Sequence, residues 1–231
     1  MFGKNPVLGR DKGDGSSLKI VKGSPFRTIQ GECYLSGMPA IFIRLHGCPW
    51  KCFFCDTAFS DPDDPVMTVE KIVAAVEALP MTHLIVITGG EPMRQPLIPL
   101  CKALWKLGHQ IQLETAGTYW QDGLELYAEF VVSPKTSYVH PAFSTWARAF
   151  KYVVDSEMSW SEDGIPITAT QPGTKPARLG APTSSKIPIW VSPCDDYDPA
   201  KNAANLKAAT DASLKYGHRV SLQIHKLLGV E

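Results

Sequence analysis

Residues 39–57 read Pro-Ala-Ile-Phe-Ile-Arg-Leu-His-Gly-Cys-Pro-Trp-Lys-Cys-Phe-Phe-Cys-Asp-Thr. The first seven form a short, nearly continuous apolar run, which is typical of a strand buried on both faces of a parallel sheet. Three cysteines in the pattern C-x3-C-x2-C follow at once, at Cys48, Cys52 and Cys55. The stretch therefore predicts a buried strand whose carboxyl end leads into a tight loop with three thiol groups.

Three clustered cysteines fit two kinds of metal site. A [4Fe–4S] cluster is usually held by four cysteine thiolates, so three would leave one iron free to bind a small molecule. A structural zinc site closes with four ligands, and His46 could complete a Cys3His set. A disulfide is disfavoured because three cysteines cannot pair off. The loop alone leaves the cluster and zinc both open.

Strand and helix patterns alternate along the rest of the chain. Strands are predicted near 83–87, 111–114, 130–133, 150–154, 187–191 and 220–224, and helices near 69–79, 97–107 and 199–217. This alternation indicates an α/β fold with a parallel sheet and right-handed crossovers. Residues 157–187, dense in Pro, Gly, Ser and Thr, read as a long connection of the kind that is often functional. We expect residues 1–24 to be an irregular N-terminal extension and residues 25–231 to form a single domain.

Composition narrows the class of protein. The 231 residues include 23 Lys plus Arg and 23 Asp plus Glu, which argues against the basic surface of a nucleic-acid binder. No apolar run approaches the length of a membrane-spanning helix, and residues 1–17 lack the apolar centre of a signal peptide. We therefore expect a cytoplasmic protein with no nucleic-acid or membrane partner.

Polar and glycine-rich segments follow one predicted strand after another. After the cysteine loop they are residues 89–92 (Gly-Gly-Glu-Pro), 114–115 (Glu-Thr), 133–135 (Ser-Pro-Lys), 192–195 (Ser-Pro-Cys-Asp) and 225–226 (His-Lys). Reactive groups of parallel α/β folds collect at the carboxyl ends of the strands. We therefore expect these segments to meet at one edge of the sheet.

The cysteine pattern, with Phe54 just before the third cysteine and Gly-Gly-Glu-Pro some thirty residues later, resembles the radical S-adenosylmethionine superfamily. The resemblance implies a modified partial (β/α) barrel in which Cys48, Cys52 and Cys55 hold a [4Fe–4S] cluster and S-adenosylmethionine chelates the free iron. The electron and radical chemistry would belong to the cofactors. The backbone of Gly90 could approach the ammonium group of S-adenosylmethionine, while Phe54 offers adenine a flat face. Glu91 could hold the turn or meet that ammonium group.

A narrower similarity covers most of the chain from Phe26 onward and is carried by residues 28–32, 42–45, 55–57, 114–118, 132–135 and 221–226. These segments resemble the 7-carboxy-7-deazaguanine synthase family. The resemblance implies a homodimeric carbon–nitrogen lyase of queuosine biosynthesis. It would convert 6-carboxy-5,6,7,8-tetrahydropterin to 7-carboxy-7-deazaguanine with loss of ammonia. It would require S-adenosylmethionine, a [4Fe–4S] cluster, Mg2+ and an external electron donor such as a flavodoxin.

The same resemblance assigns ligand contacts. Thr57 would bind Mg2+, Arg44 would pair with the substrate carboxylate, and Glu32 and Glu114 would meet the aminopyrimidine edge of the pterin. Other expected pterin contacts are Ile29, Gln30, Gly31, Thr88, His225 and Glu231. Those expected for S-adenosylmethionine, besides Phe54, Gly90 and Glu91, are Ser133, Pro134, Lys135, Ser192, Pro193, Cys194 and Asp195.

Alternative interpretations accompany several of these assignments. Thr57 could be a loop cap, Lys135 a surface charge, and His225 a structural side chain. The chain also departs from the family pattern at Cys33, where glycine is common, at Ser192, where glutamine is common, and at Glu231, where proline is common. Two other functions stay open, namely a glycyl-radical activating enzyme with a protein substrate and a non-catalytic zinc-binding module.

Overall fold

The computed structural model describes residues 5–230, so the prediction for Glu231 lies outside the described residues. In chain order the strands are β1 (Ser17–Lys19), β2 (Phe26–Ile29), β3 (Pro39–Leu45), β4 (Val66–Thr68), β5 (Leu84–Gly89), β6 (Gln110–Thr115), β7 (Glu129–Val132), β8 (Ala147–Val154), β9 (Ser159–Trp160), β10 (Pro166–Thr168), β11 (Ala177–Arg178), β12 (Ile189–Pro193) and β13 (Arg219–Val220). The helices are α1 (Val69–Glu77), α2 (Ile98–Lys106), α3 (Phe143–Trp146), α4 (Pro199–Tyr216) and α5 (Ile224–Leu228).

The main sheet of the described chain has the strand order β13-β12-β8-β7-β6-β5-β3-β2. All its pairings are parallel except that of β2 with β3 at one edge. The adjacent strands β3, β5, β6, β7 and β8 follow one another in the chain in the same order as in the sheet. This order is expected when each crossover connection leads to the neighbouring strand. The predicted α/β fold with a parallel sheet is therefore confirmed.

Alternate residues of the central strands face opposite sides of the sheet. One side carries an apolar layer that packs with α1 and α2, and its members include Ile41, Ile43, Ile85, Ile87, Leu113, Phe130, Phe150 and Tyr152. The opposite side carries polar groups near the carboxyl ends of the strands, among them Arg44, Thr88, Glu114 and Lys151. The hydrophobic layer thus fixes the register that presents these polar groups together.

Helix termini match the signals in the sequence. The Thr68 hydroxyl accepts a hydrogen bond from the backbone N–H of Lys71, and the Asp198 carboxylate accepts two from the first turn of α4. Helix α4 ends at Gly217, whose φ of 74° is the left-handed conformation of a helix C-cap. Within residues 5–230, every helix is too short or too polar to traverse a lipid bilayer.

Three segments differ from the sequence-based expectation. The predicted final strand over 220–224 is wrong, because only Arg219–Val220 pairs with β12 and α5 begins at Ile224. The long connection 157–187 contains a small antiparallel sheet of β9, β10 and β11. The predicted irregular segment 1–24 includes β1, which pairs with β4 and buries Leu18.

Candidate active site

A pocket at the carboxyl edge of the parallel strands collects nearly all of the predicted site residues. Its lining includes Ile29, Gln30, Glu32, Arg44, Cys48, Cys52, Phe54, Cys55, Thr57, Thr88, Gly90, Glu91, Glu114, Ser133, Lys135, Ser192, Pro193, Cys194, Asp195 and His225. Two predicted residues, Gly31 and Pro134, are not among the lining groups. The polar edge inferred from the strand ends is therefore a real concavity.

The glycine turn after β5 packs directly on the start of the cysteine loop. The backbone N–H of Gly90 donates to Leu45 O at 3.0 Å, and that of Glu91 donates to Gly47 O at 3.0 Å. A Cβ atom at Gly90 would lie 2.1 Å from Gly47 O and 3.0 Å from the Cβ of Cys48. Only glycine allows this approach, so the two motifs form one continuous wall of the pocket.

Glu91 holds the turn, as one of its two proposed roles requires. Its carboxylate accepts hydrogen bonds from the Thr115 hydroxyl at 2.7 Å, the Ala116 N–H at 2.7 Å and the Met93 N–H at 3.0 Å. Burial raises the pKa of this carboxyl, although the three donors act in the opposite direction. Because both oxygens accept protein donors, Glu91 ties the glycine turn to the end of β6.

The three loop cysteines all open into the pocket as free thiols. Burial raises the pKa of Cys48 to about 12 and also raises the pKa values of Cys52 and Cys55. Thiols of this kind become good ligands only when a metal replaces the proton. His46, the possible fourth zinc ligand, places its Nδ1 2.7 Å from Asp64 Oδ2.

The arrangement of possible ligand side chains indicates which kind of metal site the pocket could hold. Within residues 5–230, no three His, Cys, Asp or Glu side chains are arranged to hold one metal ion. A cluster makes a different demand, because each thiolate binds a different iron atom and the sulfurs need not converge on one point. The Trp50 indole N–H is buried with no hydrogen-bond partner in the described chain, and Trp50 lines the same pocket. Three sulfurs, a side-chain-free glycine wall and an unpaired donor fit a cluster with a polar ligand beside it.

Lys135 lies inside this pocket, which excludes the alternative of a mere surface charge. Its ammonium group donates to Ser133 O at 2.7 Å and to Ser133 Oγ at 2.6 Å, and lies 5.7 Å from the centre of the Phe54 ring. Burial lowers the pKa of Lys135, and the nearby Cys52 partly opposes that effect. Lys135 thus places its amino group in the same pocket as the three loop cysteines.

A buried charge cluster lies on the floor of the pocket. The Lys151 ammonium group contacts the Glu32 carboxylate and lies 3.5 Å from Glu114 Oε2. Burial alone would lower the pKa of Lys151, but the two carboxylates outweigh it and the pKa is raised. Burial likewise tends to raise the pKa of Glu32, but Lys151 outweighs it and the pKa is lowered. Both shifts favour the charged forms of Lys151 and Glu32.

Amide side chains complete this floor. The Gln30 and Gln112 Nε2 groups donate to Glu114 Oε1 at 3.0 and 3.1 Å, and Gln30 Oε1 accepts from the backbone N–H of Glu32 at 3.0 Å. Gln30 thus links the Glu114 carboxylate to the backbone of Glu32.

Arg44 and Thr88 occupy paired positions on neighbouring strands β3 and β5. Both side chains line the pocket, and the Arg44 guanidinium lies 4.8 Å from the centre of the Phe26 ring. This distance is that of a cation–π contact between the guanidinium and the aromatic face. The pair forms the side of the pocket between the cysteine loop and the acidic floor.

Gly31 shapes the site without lining it. A Cβ atom there would lie 1.8 Å from His225 Nδ1, so the missing side chain makes room for the imidazole. His225 is partly buried, and this burial lowers its pKa. The structure thus gives Gly31 a steric role in placing His225, and its predicted contact with the pterin stays a prediction.

Thr57 lines the pocket together with the neighbouring Asp56 and with Asp195. The Thr57 hydroxyl donates to Asp56 Oδ1 at 3.0 Å. Lys226 Nζ lies 2.6 Å from Asp195 Oδ2 and 4.0 Å from Asp56 Oδ2. The hydrogen bond from Lys226 lowers the pKa of Asp195 to about 2, which keeps the Asp195 carboxylate ionised.

Several lining residues were missed by the sequence analysis, notably Lys151, Asn5, Trp50, Asp56 and Gln223. Lys151 had a usable signal, because it is the one charged residue in the apolar stretch 149–154 and strand parity places it on the face opposite its two aromatic neighbours. Asn5 had none, because its position depends on how a distant segment folds back.

The sequence and the fold of this chain are both similar to those of known proteins. Residues 42–145 match the Radical SAM superfamily. The chain is 38% identical, over the full length of both proteins, to a 7-carboxy-7-deazaguanine synthase of Rhodospirillum rubrum. It is 35% identical to that of Rickettsia prowazekii, covering all of this chain and 96% of the relative. The crystal structure of QueE from Escherichia coli superposes with a TM-score of 0.63 at 22% identity, covering 90% of this chain and 94% of that one. The predicted partial-barrel fold of the radical S-adenosylmethionine type is confirmed.

Proposed function

Because this chain belongs to the 7-carboxy-7-deazaguanine synthase family, we propose that it contracts the ring of 6-carboxy-5,6,7,8-tetrahydropterin to 7-carboxy-7-deazaguanine with loss of ammonia. The observation that carries this proposal is the pocket itself. One concavity joins three cysteine thiols, the glycine turn and a partly buried pair of carboxylates. A glycyl-radical activating enzyme or a zinc module has no need for the acidic floor.

Membership of a radical S-adenosylmethionine family implies a [4Fe–4S] cluster and S-adenosylmethionine. We propose that Cys48, Cys52 and Cys55 hold the cluster. When bound, these cofactors supply the electron and the hydrogen-abstracting radical. The chain provides the enclosure, with Gly90 packed against the cysteine loop and Phe54 beside it. Further contacts to S-adenosylmethionine are proposed at Ser133, Lys135 and residues 192–195, which line the same pocket.

The acidic floor suits the aminopyrimidine edge of a pterin. Its N–H donors match the carboxylate oxygens of Glu32 and Glu114, which Lys151 and Gln30 hold in position. Charge-assisted hydrogen bonds of this kind are stronger than neutral ones. We propose that this pair selects the pterin and that Arg44 binds the substrate carboxylate at the other end.

We propose that Mg2+ binds at Thr57, in agreement with its preference for hard oxygen ligands and few protein contacts. Asp56 adds a carboxylate within hydrogen-bonding distance of the Thr57 hydroxyl. An ion there would lie at the mouth of the pocket, where it could orient the substrate carboxylate.

Other properties of the family are proposed for this chain as well. They are a homodimeric state, an external electron donor such as a flavodoxin, and a cytoplasmic location, where reducing conditions protect free thiols. We also propose that residues 25–231 act as one domain on which residues 5–24 pack.

Anaerobic turnover tests the function directly. Purified protein, reconstituted with iron and sulfide, is incubated with the carboxytetrahydropterin, S-adenosylmethionine, Mg2+ and a chemical reductant. We expect a product of the mass of 7-carboxy-7-deazaguanine and an equal amount of ammonia. Protein that holds the cluster and cleaves S-adenosylmethionine but leaves the pterin unchanged would refute the assignment, and Cys52→Ala protein serves as the inactive control.

A further inference from the structure

Residues 5–11 lie along the cysteine loop. Val7 forms a parallel bridge with Cys48, and the backbone N–H of Leu8 donates to Cys48 O at 2.7 Å. The Arg94 side chain donates to Gly9 O at 2.9 Å, and the Asp11 N–H donates to Arg94 O at 2.7 Å. This segment, which we call the N-terminal strap (residues 5–11), is therefore fixed by hydrogen bonds against the first cysteine.

Asn5 begins the strap and reaches the third cysteine. Its side chain is buried, and its Oδ1 accepts from the Ser60 hydroxyl at 2.9 Å and from the Phe59 backbone N–H at 3.4 Å. Because a backbone N–H can only donate, the oxygen must face Phe59. The amide nitrogen is thereby turned toward Thr57 O at 3.0 Å and Cys55 Sγ at 3.9 Å.

The two N–H groups of this amide thus have two acceptors. In the free protein, the Cys55 thiol can itself donate to Thr57 O, 3.5 Å away. A cluster ligand is a thiolate, which has no proton and only accepts, so the Asn5 N–H then points at a negatively charged sulfur. Hydrogen bonds to sulfur are among the factors that set the reduction potential of iron–sulfur clusters.

We propose that Asn5 is a positioning residue that donates a hydrogen bond to the Cys55 ligand of the cluster and raises its reduction potential. The inference rests on the proposed function only in requiring a cluster at Cys48, Cys52 and Cys55. The bond favours the reduced cluster because that state carries the greater negative charge. Through Thr57 O, the same amide also holds the backbone of the proposed magnesium ligand.

A measurement on the wild-type protein tests the contact directly. The chain contains three asparagines, Asn5, Asn202 and Asn205, and the last two belong to α4. Protein labelled with 15N in the asparagine side-chain amide is reduced anaerobically and studied by pulsed electron paramagnetic resonance. We expect a 15N coupling to the reduced cluster, which disappears in Asn5→Ser protein. A wild-type spectrum without such a coupling overturns the proposal even if every variant fails to fold.

Potentiometric titration tests the consequence. We expect the midpoint potential of Asn5→Ala protein to shift to a more negative value, with release of iron to a chelator about tenfold faster. The matched control is Arg10→Ala, which removes the strap's hydrogen bond to Trp120 O and leaves the amide in place. A midpoint equal to wild type in Asn5→Ala protein, or an equal shift in Arg10→Ala protein, refutes a specific role of the amide.

The iron content and turnover of wild-type protein distinguish failure of the proposed function from failure of this inference. Wild-type protein with no cluster removes the proposed function and this inference together. Wild-type protein with a cluster and turnover, but with no effect of Asn5, removes this inference alone.

Discussion

Substitution of Lys151 by methionine should destabilise the protein by leaving two carboxylates without their shared counter-charge. The Lys151 side chain is 7% exposed, and those of Glu32 and Glu114 are 15% and 17% exposed. At 3.5 Å and an effective dielectric constant of about 20, the attraction between Lys151 and Glu114 is ~5 kcal/mol. The cost of removing these charges from water offsets much of that attraction.

The net loss of stability depends on the two carboxylates that Lys151→Met leaves without a counter-charge. Removing one partner of a buried ion pair typically costs about 3–5 kcal/mol, and the partial exposure of both carboxylates places Lys151→Met near ~3 kcal/mol. For a chain of this length, ~1 kcal/mol corresponds to about 2–4 °C in Tm. We therefore expect the Tm to fall by about 6–12 °C relative to wild type.

Thermal unfolding of the cluster-free proteins, read by circular dichroism, measures this effect. Lys207→Met is the matched control, because Lys207 pairs with Asp211 on an exposed helix surface and its loss should cost less than about 1 kcal/mol. Adding Glu32→Gln and Glu114→Gln to Lys151→Met should recover at least half of the lost stability, since no uncompensated charge then remains. A single variant as stable as Lys207→Met, or a triple variant no better than the single one, would refute the reasoning.

The charged side chains of Lys151 and Glu32 also predict that the stability of the protein depends on pH. The pKa of Glu32 is lowered in the folded protein from its ordinary value of 4.5, so the folded state binds this proton less readily than the unfolded state. Its contribution to stability is therefore present above that ordinary value and is lost as the pH falls through the lowered pKa. Wild-type protein should lose more stability than the triple variant over this acid range.

Three further predictions concern single residues in or beside the pocket. Cys52→Ala should abolish cluster binding and turnover; iron at the wild-type level after anaerobic reconstitution would contradict its role as a ligand. Thr57→Ala should raise the Mg2+ concentration needed for half-maximal turnover, and an unchanged requirement would remove Thr57 from the magnesium site. Gly31→Ala should displace His225, because the added Cβ would lie 1.8 Å from Nδ1, and should raise the KM for the pterin. Gly9→Ala is the control for this substitution, because nothing lies within 4 Å of its added Cβ, and an equal KM in both variants would contradict the steric role.

The fold was predictable where periodicity and caps acted together. The apolar run 39–45 has the same bounds as β3, and α4 lies between the predicted Asp198 cap and Gly217. These elements are determined locally, because burial on both faces requires an apolar run and a capped helix carries its own boundary signals.

The C-terminal segment shows where local periodicity fails. Residues 220–225 alternate apolar and polar side chains as a strand would, yet pairing with β12 stops at Val220. Distant partners decide the outcome: Ser221 Oγ accepts from the Cys33 N–H at 2.8 Å, and the Ile224 N–H donates to Gly31 O at 3.1 Å. These contacts draw the chain off the sheet edge and across the pocket, and no alternation of hydrophobic residues encodes them.

The residues of the candidate site also differ in how well the local sequence predicts their positions. Motif residues such as Cys48 and Gly90 could be predicted because their chemistry depends on spacing along one loop or turn. Lys151 depends on strand parity, since the packing of Phe150 and Tyr152 in the core obliges the residue between them to face the pocket. Asn5 depends on neither, because its amide reaches Cys55 only after the strap has folded over a loop 50 residues away. The proposed cluster ligands lie within one short loop, but the residue proposed to tune their redox potential belongs to a segment that the motif does not contain.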